Sequence, residues 1–221
     1  IYGNKGYISS LQEEEIRILD LDGMAVSDAF EVGATSEAIV ISDGRLFAAQ
    51  WSGGSTITVT DIATGNLANT ISVGLEPESM VLDRYGKLWI LCTGGWQGEE
   101  VPRLVRINVS TLEKEAELEF GSVDDNPSSL TANAAGDTLY YLHEGVRRMP
   151  VTAEALPPAA FIQSGDRLFY KLMAGPRGIV AVTDAIDYQQ KGDLLIYNSK
   201  GELIDSEQAG IIPGFMLYMN D

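Results

Sequence analysis

Three features of the sequence predict an all-β fold, a five-bladed β-propeller closed by its C-terminal strand. They are a repeat in the low-to-mid forties, short apolar segments of period-2 alternation between turn residues, and a tail that matches a strand missing from the first repeat. Five strand-like segments end at Gly33, Gly74, Gly121, Gly165 and Gly210, at spacings of 41, 47, 44 and 45 residues. A four-stranded propeller blade has this period.

The second repeat shows the anatomy most clearly. Residues 37–41 read as a first strand, Asp43-Gly44 as a tight hairpin turn, 45–50 as a second strand and 56–61 as a third. Ala63-Thr64-Gly65-Asn66 turns the chain into a fourth strand over 67–73. The third repeat has strands at 80–83, 87–92, 104–108 and 115–120, and the fifth has them at 178–183, 193–197 and 202–206. The fourth is the least regular. Its third strand at 146–149 runs into Pro150, with Pro157-Pro158 beyond, and proline cannot donate to a ladder. No segment keeps a helical period for more than about two turns.

The first repeat begins at Lys5-Gly6-Tyr7-Ile8, which aligns with the second strand of the others, so it lacks a first strand. Residues 211–218 align with a first strand. The tail is therefore expected to complete the opening blade, giving one domain over 1–221; the alternative is part of a six- to eight-bladed propeller.

Composition narrows the function. The 221 residues are 45% hydrophobic, enough for a packed core, and carry 32 acids against 15 bases, a formal charge of −17. Such a charge repels phosphate backbones and anionic lipid, which argues against nucleic-acid partners and membrane-surface docking. No apolar run is long enough to span a membrane. The chain opens at Ile1 without a basic, apolar leader, so an export signal is expected to be absent from it.

Catalytic chemistry has few carriers. The single cysteine, Cys92, closes the apolar run 87–92 and reads as a small buried hydrophobe. One histidine, His143, cannot build a three-ligand zinc site. None of the short hydrolase, metalloprotease, P-loop or dinucleotide motifs occurs. Asp124, Asp125, Asp184 and Asp187 are hard oxygen donors, but no calcium loop organises them, so no metal and no cofactor are expected.

In an up-and-down blade the second-to-third loops share a face with the fourth-to-first loops. The second-to-third loops hold Trp51, then Trp96 and Gln97, then His143, then Asp184, Asp187, Tyr188 and Gln189. These eight are the candidate ligand-binding residues. Trp51, Trp96 and Tyr188 would stack on a flat or ring-shaped ligand, and Gln97, Asp187 and Gln189 would supply hydrogen bonds. The competing reading makes Trp51 and Trp96 wedges between blades.

The run Thr183-Asp184-Ala185-Ile186-Asp187-Tyr188-Gln189-Gln190-Lys191-Gly192 lies within 178–202, which resembles the last blade of a Bacteroidetes family of secreted or surface propellers, similar to the YncE and YVTN-repeat propellers. Gly210-Ile211-Ile212-Pro213-Gly214-Phe215 resembles that family's closing strand, and Glu76-Pro77-Glu78-Ser79-Met80 and Gly86-Lys87-Leu88-Trp89 resemble its repeat. The resemblance implies export, often as an outer-membrane lipoprotein, to the extracellular or outer-membrane surface or the periplasm, and a non-catalytic role. Some relatives, usually seven-bladed, capture corrinoids and pass them to a transporter.

The expectation is thus a non-catalytic secreted or cell-surface binding protein. Its loops would face a small molecule, glycan or protein partner, with nutrient capture for an outer-membrane transporter as the wider role. The alternative is a glycan-active hydrolase using paired carboxylates such as Asp184 and Asp187.

Overall fold

The computed structural model describes residues 1–218. Its strands form five separate antiparallel sheets taken in chain order. The first contains β1 (Lys5–Ile8), β2 (Glu15–Asp20) and β3 (Ala25–Glu31). The second contains β4 (Ile39–Ser42), β5 (Arg45–Ala49), β6 (Thr56–Asp61) and β7 (Leu67–Ser72), and the third β8 (Pro77–Leu82), β9 (Lys87–Cys92), β10 (Arg103–Asn108) and β11 (Lys114–Glu119). The fourth contains β12 (Ser128–Ala132), β13 (Thr138–Leu142) and β14 (Val146–Pro150), and the fifth β15 (Phe169–Ala174), β16 (Val180–Asp184), β17 (Lys191–Tyr197) and β18 (Leu203–Ile211).

Residue type explains the layout of each sheet. In β5 and β9 the runs Leu46-Phe47-Ala48-Ala49 and Leu88-Trp89-Ile90-Leu91-Cys92 are buried throughout, because these strands are covered on both faces. The outer strand β7, Leu-Ala-Asn-Thr-Ile-Ser, buries only Ile71. Each fully buried Leu, Ile or Phe contributes about 1.5–3 kcal/mol, so the middle strands carry the stability and the outer ones serve as solvated edges. The turn between β4 and β5 is set by Asp43 and Gly44, both in the left-handed region at φ 49° and 72°. That geometry matches a two-residue hairpin loop and fixes the Ser42–Arg45 pair in register.

The chain divides into two compact units: Ile1–Met80 with Gly86–Asp124, and Val81–Tyr85 with Asp125–Asp221. In the first, Ile16, Ile18, Phe30 and Val32 pack with Leu46 and Ala48, joining the first two sheets. The Arg45 guanidinium donates to the Val109 carbonyl at 3.0 Å, tying the second sheet to the turn after β10. In the second unit, Tyr140, Leu142 and Val146 pack with Leu172, Val180, Val182, Leu195 and Tyr197. There the Leu172 amide donates to Ser129 Oγ at 3.0 Å, linking β15 to β12.

The fourth sheet stops at three strands. Beyond Pro150 the chain comes back to the sheet only at Ile162, which forms an isolated bridge with Val146 of β14 in place of a fourth ladder. The Arg148 guanidinium lies 3.7 Å from the Phe161 ring centre and covers this irregular stretch.

The closed propeller expected from the sequence is not what the structure shows. Among the described residues no sheet is closed, and residues 211–218 do not complete the first one. The segment expected to do so, 211–218, is diverted at its start. β18 runs through Gln208, Ala209 and Gly210 to Ile211, which pairs with Lys191 as the outer strand of the fifth sheet. Ile212 then turns into the left-handed region at φ 50°, and Pro213 has no amide hydrogen to give a ladder. Residues 212–218 form no strand, and Phe215 is 85% exposed. Among the described residues, β1 pairs in its sheet only with β2, in the register Lys5–Asp20 to Ile8–Arg17.

Candidate functional site

The β9–β10 loop of the first unit grows from a fully buried strand. Cys92 ends that strand with no exposure, and burial raises its thiol pKa to about 12, so it is an inert packing group. The chain then leaves the sheet through Gly94 and Gly95, both at positive φ. A Cβ at Gly94 would lie 2.1 Å from the Glu100 carbonyl oxygen, so only glycine fits this crossing. Two bonds close the loop on itself, from the amide of Gly98 to Gly95 O at 3.1 Å and from that of Glu100 to Gly94 O at 2.8 Å, and the amide of Gly94 ties it to the neighbouring β7–β8 connection by donating to Leu75 O at 3.1 Å. The amide of Gln97 donates to Glu99 Oε2 at 3.0 Å. At the apex Trp96 is 91% exposed. The wedge reading therefore fails for Trp96, while Gln97 beside it is also exposed.

Trp51 behaves differently. It is half-buried in the β5–β6 loop, its carbonyl accepting the Gly54 amide at 2.7 Å. No ring contact joins it to Trp96.

In the second unit four candidates share the β16–β17 loop, residues 185–190, and the strand end at its root. Asp184 is 4% exposed and accepts the amides of Leu168 at 3.1 Å and Ile186 at 2.9 Å. Its other oxygen faces the Arg167 guanidinium at 3.5 Å. Its donors place it as a brace for this loop. Asp187 is exposed and accepts the amides of Gln189 and Gln190, each at 2.9 Å. Those bonds, that from Gln190 foremost, hold its carboxyl pKa below the ordinary aspartate value. Gln189 is exposed. Tyr188 is 48% exposed, with its ring edge-on to Tyr170 at 5.8 Å and 86°. His143, on the β13–β14 turn, lies beside Asp125, with Nε2 3.7 Å from Oδ1.

Several contributors were not singled out from the sequence. Glu99 and Glu100 brace the Trp96 loop, Glu100 Oε2 accepting the Leu75 amide at 3.3 Å. The signal for them is the Gly94-Gly95 pair, which brings a backbone close enough for a carboxylate to cap it. Tyr170 carried no such signal. Its pairing with Tyr188 depends on the β15–β16 register, set by a bulge between Phe169 and Lys171.

A scan against protein-family models and a search of curated proteins find no match. Among solved structures, the chain is similar to hydrazine synthase of Kuenenia stuttgartiensis, with 13% identity and a TM-score of 0.74. The likeness covers 96% of this chain and 65% of that one, so the chain spans about 65% of its neighbour's length. At this identity the two share a fold, and the neighbour's named activity belongs to the neighbour.

Proposed function

We propose that this protein is a non-catalytic binding protein whose β9–β10 loop offers Trp96 as a stacking anchor to a ring-bearing ligand, with a glycan as the leading class. The carrying observation is the exposure of Trp96, 91%, on a loop held by backbone hydrogen bonds within itself and to Leu75. An indole left in water forgoes burial worth several kcal/mol, at about 25 cal/mol per Å² of apolar surface. A braced loop presents it with little ordering left to do on binding. Gln97 stands beside it as a hydrogen-bonding partner. The resemblance of 178–202 to secreted surface propellers supports a role at the cell surface, in capture for an outer-membrane transporter. No helix among the described residues is long and apolar enough to cross a membrane.

Two features weigh against the hydrolase reading. Glycoside hydrolysis needs one carboxylic acid held protonated by a raised pKa. Asp187 is instead pulled down by amide donors, and Asp184 is buried under two amides and an arginine.

Titration with soluble cello-, malto- and chito-oligosaccharides tests the proposal through tryptophan fluorescence. A saturable quench that vanishes in Trp96→Ala, with an unchanged melting temperature, is expected. A quench of full size in Trp96→Ala, or silence across the panel, would overturn it.

A further inference from the structure

A separate recess lies in the first unit, away from the Trp96 loop. It is a hollow of about 690 Å³ lined by Tyr2, Asn4, Lys5, Tyr7, Asp20 and Ser27, with Ile62 and Ala63 forming part of its wall. A second hollow of about 690 Å³ shares Lys5, Ile62 and Ala63 with its lining and is bounded by the turn between β6 and β7. We infer that this groove is a saccharide-binding site for a pyranose ring, distinct from the loop proposed above and standing without it.

The N-terminal residues form one wall by a local device. The amide of Tyr2 donates to Lys5 O at 3.0 Å and that of Lys5 returns to Tyr2 O at 3.3 Å, around Gly3 at φ 58°. This turn folds Tyr2 back over the start of β1. Its hydroxyl reaches the β4–β5 turn, where a Cβ on Gly44 would be 3.9 Å away. Tyr2 thus spans from the first sheet to the second. Tyr7, anchored 6.1 Å from the Phe30 ring centre, supplies a second aromatic surface. Burial, with Tyr2 as the lesser cause, raises the Tyr7 pKa, so its phenol stays a neutral donor at physiological pH.

The polar groups fit a molecule that both donates and accepts at close spacing. Lys5 and Asp20 are directly opposed across β1 and β2, on one face of the sheet, yet they do not close into an ion pair. Lys5 has no ion-pair partner among the described residues, although most of the arginines are paired or bonded to carbonyls. The Asn4 side chain can do both, and Ser27, whose hydroxyl donates to Ile18 O at 3.2 Å, still has lone pairs to accept. A pyranose offers adjacent hydroxyls that accept from Lys5 and donate to Asp20, and a C–H face that lies on a tyrosine ring. An apolar aromatic ligand would leave Lys5 and Asp20 desolvated without partners, and a simple anion would meet Asp20.

The test is ligand titration of protein carrying ¹³C-labelled tyrosine rings, with methyl glucoside, methyl galactoside and N,N′-diacetylchitobiose as pyranoside probes and phenylalanine as the zwitterionic control. Saturable shifts of the Tyr2 and Tyr7 rings at millimolar pyranoside are expected. Affinity should fall about tenfold in Tyr2→Ala and in Lys5→Met, and stay unchanged in Trp96→Ala. Tyr2 is 47% exposed, so its variant keeps the fold, which circular dichroism verifies. Absence of saturable shifts with every pyranoside, undiminished binding in Tyr2→Ala, or shifts with phenylalanine alone would overturn the inference. Loss of binding in Trp96→Ala with retention in Tyr2→Ala would move the saccharide to the loop and likewise overturn it.

Discussion

The β9–β10 and β16–β17 loops leave corresponding strands of two repeats, each carrying an aromatic residue, and end in opposite arrangements. In the first, backbone bonds and two glycines hold the loop, and Trp96 is left 91% exposed. In the second, the buried carboxylate Asp184 holds the loop from beneath, and Tyr188 rests edge-on against Tyr170. The repeat decides where a loop emerges. Local hydrogen bonding decides whether its aromatic group is free to meet a ligand.

The largest expected effect comes from removing the brace of the second loop. Asp184→Ala should cost about 2–4 kcal/mol, because the Leu168 and Ile186 amides and Arg167 lose a buried acceptor. Urea denaturation measures it. A loss below about 0.5 kcal/mol would mean the carboxylate is not structural and would reopen its candidacy as a reactive group. Next is Gly94→Ala in the first loop. Its Cβ would strike the Glu100 carbonyl at 2.1 Å in a backbone at φ 83°, a cost of about 1–3 kcal/mol. Altered Trp96 fluorescence should accompany the loss; unchanged emission and stability would show the loop is not held as described.

Cys92 probes the root of that loop. Its thiol pKa is raised by burial, so the fold favours the neutral thiol. That contribution is fully present below the unfolded value near 9 and is lost as pH rises towards about 12. At pH 8, a thiol reagent should label Cys92 only on unfolding. Rapid labelling of native protein would show the root to be open.

The smallest effect belongs to Asp187. Its pKa is lowered in the folded loop, so its contribution is present above the ordinary aspartate value and lost as pH falls through the lower, folded one. The amide resonances of Gln189 and Gln190 should therefore hold steady at neutral pH and move only in that acid range. Asp187→Asn should remove the movement, and movement that persists in the variant would assign it elsewhere.

Much of the sheet framework could be read from the chain. Asp43-Gly44 has one good conformation between two strands, and 56–61 and 87–92 alternate or stay apolar as their burial demands. Proline at 150, 157 and 158 marked the irregular fourth sheet for the same reason, a missing donor. Closure was illegible because it rests on a competition. The apolar residues of 211–218 suit a first strand, but β18 extends to Ile211 and Pro213 interrupts the backbone beyond it. The site divides likewise. That an aromatic group stands at Trp96 is written in the sequence, whereas its exposure and the capture of Asp184 by Leu168 and Arg167 depend on chain segments brought together by folding.

The most direct measurement is ¹⁹F NMR of protein labelled with 5-fluorotryptophan, which reports Trp51, Trp89 and Trp96 separately. Trp89 is fully buried and Trp51 half-buried, so the Trp96 resonance should show the largest solvent isotope shift. On addition of the oligosaccharide panel it should move while Trp89 stays fixed. A Trp96 resonance shielded from solvent, or one indifferent to every oligosaccharide, would contradict its role as the exposed stacking anchor.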